Sequence, residues 1–396
     1  MSFDATKSEN RIDRVRPDAP KLAHFGDSSV GVTTVDLIHR DQLDVAHLSE
    51  GEMPRYDRPL PVEIWYPCTS QSGQGCTYST VLRDGVTPIE LTGRASRDAK
   101  MAPGKYPLVL ISHGFPGNRF LLSHFAENLA SKGYVVASVD HADSTYPEDT
   151  SFESTRYNRP LDQRFVLDEL TGQAQPIAEI IDPENIGVIG YSMGAYGALI
   201  FGGAGFADGG VKHDEPAFRE VFERHRAGSA LLQDLVDPRV KALVPIGPWG
   251  RQHDVWDAVG LSAVKKPTFV IGGSRDDISG YEDGIRKIFD ELTSAKRYLL
   301  TFDHAGHNAA APIPLPNEFW ADGVDERAFS HYEDGVWDAL RMNNIAQHFV
   351  TAFLGLYLKS DKSMEDYLSF DAADTEWPGF DDSPAIGLRL EYKAPG

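Results

Sequence analysis

Gly190-Tyr191-Ser192-Met193-Gly194 follows an apolar run, Asn185 to Gly190, with no polar interruption before the turn. A serine hydroxyl placed at a tight strand-to-helix turn between two glycines is the arrangement that lifts a nucleophile out of a sheet. Ser192 is therefore the expected nucleophile. Serine attacks poorly at neutral pH, so it requires a base and a group that orients the base. Downstream, one β-type run ends in Ser274-Arg275-Asp276-Asp277 and the next in Asp303-His304-Ala305-Gly306-His307. The order serine, acid, histidine gives Asp276 as the acid, with Asp277 as the alternative, and His307 as the base. His304 is expected at the surface or behind the site. Acyl chemistry also needs donors for a developing oxyanion. The backbone N–H groups of Phe115, in Ser112-His113-Gly114-Phe115-Pro116-Gly117, and of Met193 are the expected pair, with His113 bracing the turn.

These residues need a scaffold that brings distant turns together. From about residue 105, β-branched runs at 106–112, 134–139, 185–190, 240–246, 268–272 and 297–302 alternate with helical stretches. That alternation predicts parallel strands joined by crossover helices. Leu121, Phe125 and Leu129, and later Ile345, Phe349 and Phe353, form apolar stripes suited to covering the two faces of such a sheet. Upstream, 29–39 and 60–67 read as two antiparallel edge strands, the second alternating Val62, Ile64 and Tyr66. The expected organisation is an extension over 1–27, one catalytic domain over 28–360, and an irregular packed tail over 361–396. Within the domain, 204–237 is expected to form a small helical cap carrying Phe218, Val221 and Phe222, and 312–336 a long Pro-rich acidic loop.

Composition removes other classes. The chain has 396 residues, 41% hydrophobic and 24% charged, the balance of a folded globular protein. With 38 Lys and Arg against 59 Asp and Glu, the net charge is −21, which repels nucleic acid and anionic bilayers. No apolar run reaches the 18 or so residues of a membrane span, and the first twenty residues lack a signal-type apolar core. A cytoplasmic location is the expectation. Two cysteines, Cys68 and Cys76, are too few for a disulfide framework and are expected as free thiols. His141-Ala142-Asp143 has no third ligand at metal spacing, so neither metal nor cofactor is expected. The aromatic residues Tyr191, Tyr196, Trp249 and Trp256, which follow the strands, are expected to divide between an aromatic pocket and plain core.

The set SHGFPGNR, GYSMGAYG, Asp276 and the final AGH resembles the serine α/β-hydrolases, and within them the bacterial relatives of platelet-activating factor acetylhydrolase and the dienelactone-hydrolase-like esterases. The likeness extends through VGVTTVDL, PVEIWYP, VASVDHADST, NRPLDQRFVLDEL and RMNNIAQHFVTAFLGLYL. It implies an α/β-hydrolase fold and hydrolysis of small-molecule esters without a cofactor. True dienelactone hydrolases carry Cys at the elbow, where this chain has Ser192, which argues against lactone chemistry of that kind. A second likeness, to polyester-degrading cutinases, rests on the SHGF turn and on Pro248-Trp249. By that analogy Trp249 lines the acyl pocket, and Tyr191, one of the aromatic residues after the strands, is expected to bind substrate as well.

Overall fold

Ten strands build one large sheet in the computed structural model of the chain, which describes residues 9–49, 52–69, 75–208, 210, 216–320, 326–369, 376–381 and 385–396. Six of them run parallel in the order β6-β5-β7-β8-β9-β10: β5 is Tyr106–Ser112, β6 Val135–Val139, β7 Ile181–Tyr191, β8 Val240–Ile246, β9 Thr268–Gly273 and β10 Arg297–Phe302. The long antiparallel pair β1 (Ser29–Leu43) and β2 (Arg55–Cys68) extends the sheet beyond β6, with Ser96–Arg97 beside β1.

The parallel strands read as unbroken apolar runs because both faces are covered. Side chains alternate along each strand, so Val109 and Ile111 enter one core while Leu108 and Leu110 enter the other. On the first face lie α1 (Ser123–Ser131) and α6 (Ala339–Leu358), whose Phe125, Leu129, Phe349 and Phe353 are buried as their spacing requires. The second face is covered by α2 (Phe152–Thr171) and α3 (Met193–Phe201). Among the described residues no helix is long and apolar enough to cross a membrane.

Two features depart from the sequence expectation. The tail is not irregular to its end: β11 (Leu388–Lys393) pairs antiparallel with β10 and buries Leu388 and Leu390. A hairpin of β3 (Thr77–Val81) and β4 (Pro88–Thr92) joins Asn10–Arg11 in a separate three-stranded sheet. The insertion at 204–237 carries α4 (Pro216–Phe222) and α5 (Ala230–Leu235), and Phe222 is buried with Phe206, Tyr157 and His225, against α2. Cys68 is buried and Cys76 half-buried, and the two are not joined in a disulfide.

Candidate active site

All the chemistry-bearing turns sit at the carboxyl ends of the parallel strands, where an open α/β sheet leaves a crevice. β7 ends at Tyr191, Ser192 turns the chain, and α3 starts at Met193. Ser192 has φ 52° and ψ −111°, a conformation that costs a non-glycine residue on the order of 1–3 kcal/mol. The flanking glycines are obligatory. A Cβ on Gly190 would stand 2.3 Å from the Gly194 carbonyl oxygen, and one on Gly194 only 1.9 Å from that of Ser112. The turn is anchored by Ser192 N–H to the Ile246 carbonyl at 2.9 Å.

His307 lies between Ser192 and Asp276. Its Nε2 is 3.0 Å from Ser192 Oγ, and its Nδ1 is 2.8 Å from Asp276 Oδ2. Asp276 is 4% exposed, and its other oxygen accepts the N–H groups of Ile278 at 3.0 Å and Ser279 at 2.7 Å. A carboxylate fixed in this way accepts from Nδ1–H, leaving Nε2 free to accept the serine proton. Asp276 is the acid that meets His307, whereas Asp277 is exposed at the cleft rim. His304 is exposed and takes no part; its positive φ of 68° lets the turn deliver His307 instead.

Peptide planes aim the two expected oxyanion donors. In a trans peptide the N–H points opposite to the carbonyl of the preceding residue. The Gly114 carbonyl is held by His113 Nδ1 at 2.7 Å and by Arg159 Nη2 at 3.2 Å, so the Phe115 N–H faces away from them. Likewise the Ser192 carbonyl accepts from Tyr196 N at 3.0 Å and Trp249 N at 3.5 Å, which turns the Met193 N–H the other way. Among the described residues neither N–H donates to a protein acceptor. His113 braces this turn as expected. His141 does too: its Nε2 is 2.8 Å from Ser112 Oγ and its Nδ1 2.8 Å from Asp162 Oδ2. Burial keeps both imidazoles neutral, pushing His113 well below the ordinary histidine value and His141 down to about 3. Among the described residues no group of acids, histidines and cysteines could hold a metal ion.

Ser192, His307, Tyr191 and Phe115 line a cleft of about 410 Å³. Tyr191 is 2% exposed, donates its hydroxyl to Asn308 Oδ1 at 3.1 Å, and packs its ring 5.2 Å from that of His307. Trp249 does not line this cleft. It stands behind, with Phe152 edge-on to it at 5.1 Å and Phe152 in turn edge-on to Phe115 at 5.3 Å. Tyr196 and Trp256 are core. The opposite wall was not foreseen. Arg83 comes from the β3–β4 hairpin, and His331, Glu333 and Asp334 from the loop before α6. Arg83 can only donate, so His331 Nδ1, 3.5 Å from Arg83 Nη1, accepts, and Nε2–H reaches the Tyr146 hydroxyl at 2.8 Å. No described residue of 204–237 lines the cleft.

Comparison with known proteins agrees with this architecture. A ferulic acid esterase from Streptomyces cinnamoneus superposes with a TM-score of 0.62 at 21% identity, covering 95% of this chain and 100% of the other. The chain has the α/β-hydrolase fold. A family described as platelet-activating factor acetylhydrolase, isoform II, matches residues 76–168, which include the Phe115 turn and most of α2. Cutinase 2 of Thermobifida cellulosilytica and a cutinase of Thermobifida fusca are each 25% identical over 205 residues, 52% of this chain. The matches span 61% and 50% of those two relatives' lengths.

Proposed function

We propose that the protein is a serine carboxylic ester hydrolase working through an acyl-enzyme. The observation that carries this reading is Ser192 Oγ within 3.0 Å of a histidine oriented by a buried carboxylate, in a cleft with two unengaged N–H groups. Ser192 attacks the ester carbonyl while His307 Nε2 takes its proton. Asp276 holds the imidazole in the required tautomer and stabilises the imidazolium that forms. The Phe115 and Met193 N–H groups bind the oxyanion, and His307 returns the proton to the leaving alcohol. Water, deprotonated by His307, then releases the acid. The likeness to cutinases and to the acetylhydrolase family supports ester over amide substrates.

A cleft of about 410 Å³ suits small to medium esters. The match over 76–168 favours, as a second reading, a short-chain acyl ester on a larger alcohol, as in an acetylated phospholipid. A panel of p-nitrophenyl esters from acetate to laurate, run with wild type and Ser192→Ala, tests the proposal. Turnover highest on short chains and lowered at least about 10³-fold in the variant is expected. Equal turnover by both proteins overturns it.

A further inference from the structure

The motif NRPLDQRFVLDEL forms most of α2, and beside the buried Val166, Leu167 and Leu170 it also buries polar side chains. Arg159, Asp162 and Gln163 are 0–1% exposed, and at spacings of three and four they share the face turned toward the sheet and α3. Each holds a different part of the site. Gln163 Nε2 donates to the Gly194 carbonyl at 3.2 Å, behind the serine turn. Asp162 takes Arg58 through both oxygens at 2.8 and 2.9 Å and orients His141. Arg159 reaches the oxyanion loop itself. Its Nη1 donates to the His113 carbonyl, and its Nη2 donates to the Gly114 carbonyl at 3.2 Å and closely to Ser144 Oγ.

The approach of Arg159 is built into the neighbouring residues. Pro160 lacks an N–H, which frees the Arg156 carbonyl one turn back. The Tyr196 hydroxyl of α3 fills that gap at 2.9 Å, clamping α2 to α3 beside Arg159. Gly197 lets the stem through: a Cβ there would stand 2.5 Å from Arg159 Cγ. Among the described residues no carboxylate forms a salt bridge with Arg159. Burial pushes the guanidinium down to about 9 against the attraction of the nearby Asp162 carboxylate, with the Arg58 cation adding to the fall. A buried cation without a direct salt-bridge contact is costly, and an apolar side chain of similar volume would be cheaper if the position served packing alone.

We propose that Arg159 is a positioning residue for oxyanion stabilisation, orienting and polarising the Gly114–Phe115 peptide so that the Phe115 N–H is a strong donor. The His113 and Gly114 carbonyls define where that peptide plane lies. A charge-assisted hydrogen bond to the carbonyl end also draws electron density from the amide, strengthening its N–H in a dry site. This inference rests on the ester-hydrolase reading above.

The test compares an ester with its thionoester, in which sulfur replaces the carbonyl oxygen and gains little from N–H donors. Wild type, Arg159→Gln and Arg159→Lys are assayed on p-nitrophenyl acetate and its thiono analogue, with thermal midpoints recorded. Loss of one oxyanion donor costs about 10²–10³ in rate, so misaligning one should lower kcat on the oxygen ester about 10- to 100-fold. KM should stay near wild type, the thionoester should lose far less, and Lys should restore part of the oxygen-ester rate. Equal losses on both esters, or an unchanged ratio, overturn the proposal. If Arg159→Gln does not fold, Ser144→Ala decides, because it removes one of the two anchors of Nη2. A severalfold fall in the oxygen-to-sulfur ratio supports the proposal and an unchanged ratio overturns it. Wild type inactive on every ester would instead overturn the underlying reading.

Discussion

Asp276 Oδ2 stands 2.8 Å from His307 Nδ1, while the neighbouring Asp277 faces solvent at the cleft rim. Asp276→Asn keeps the size of the side chain but removes the charge and favours the wrong imidazole tautomer. The expected result is a fall in kcat of about 10³–10⁴, as for the buried aspartate of other serine triads, with KM little changed. Asp277→Asn should stay within a fewfold of wild type. Steady-state kinetics on a soluble ester checks both, and a larger loss from Asp277→Asn would reverse the assignment.

The elbow makes a prediction about stability. A methyl on Gly194 would lie 1.9 Å from the Ser112 carbonyl oxygen, a contact that only backbone movement can relieve. Gly194→Ala is expected to destabilise the fold on the order of 3 kcal/mol and to abolish turnover by displacing Ser192. Chemical denaturation and the ester assay measure the two effects. A variant of wild-type stability would mean that β5 and α3 sit farther apart than described.

Acid should unfold this protein through its histidines. Burial pushes His124, His141 and His348 down to about 3 and His225 to about 4, against an ordinary value of 6.5. Between pH 6.5 and about 4 the unfolded chain therefore binds protons that the folded chain refuses, so stability falls as pH falls through that window. Each such histidine contributes at most about 1.4 kcal/mol per pH unit. Neither ring nitrogen of His124 has a hydrogen-bond partner, which makes His124→Leu the cleanest probe. Thermal midpoints from pH 7 to 4 should fall steeply in wild type and less steeply in the variant. Parallel profiles would contradict this account.

The aromatic row predicts how Trp249 acts. It touches Phe152, which touches Phe115, so its influence on the cleft passes through that pair. Trp249→Ala should change selectivity between short and long acyl chains less than Phe115→Ala does, measured as ratios of kcat/KM across the ester panel. The reverse order would make Trp249 a direct substrate contact.

The parallel strands and the turns that bring Ser192, Asp276 and His307 together were legible because each signal is local. Apolar runs such as 240–246 and 297–302 match the observed strands residue for residue, and their turns carry Asp276 and His307. The helix α2 was not legible because Arg159, Asp162 and Gln163 occupy the middle of its buried face, and its fully buried apolar residues Val166, Leu167 and Leu170 span little more than one turn. The β3–β4 hairpin was hidden for a related reason. Thr77–Val81 is half polar, and its place beside Asn10–Arg11 depends on long-range pairing. Arg83 and His331 reach the cleft only through that tertiary placement, so no spacing in the chain announces them. Leu388–Lys393 does alternate with period two, but six residues after an Asp- and Pro-rich stretch make a weak signal.

The nucleophile is the claim on which the mechanism stands. Reacting the folded protein with a fluorophosphonate and mapping the adduct by peptide mass spectrometry tests it directly. One adduct per chain on Ser192, absent from Ser192→Ala and slowed in His307→Ala, is the predicted result. An unlabelled Ser192, or an adduct on another residue, in protein that still hydrolyses esters would contradict it.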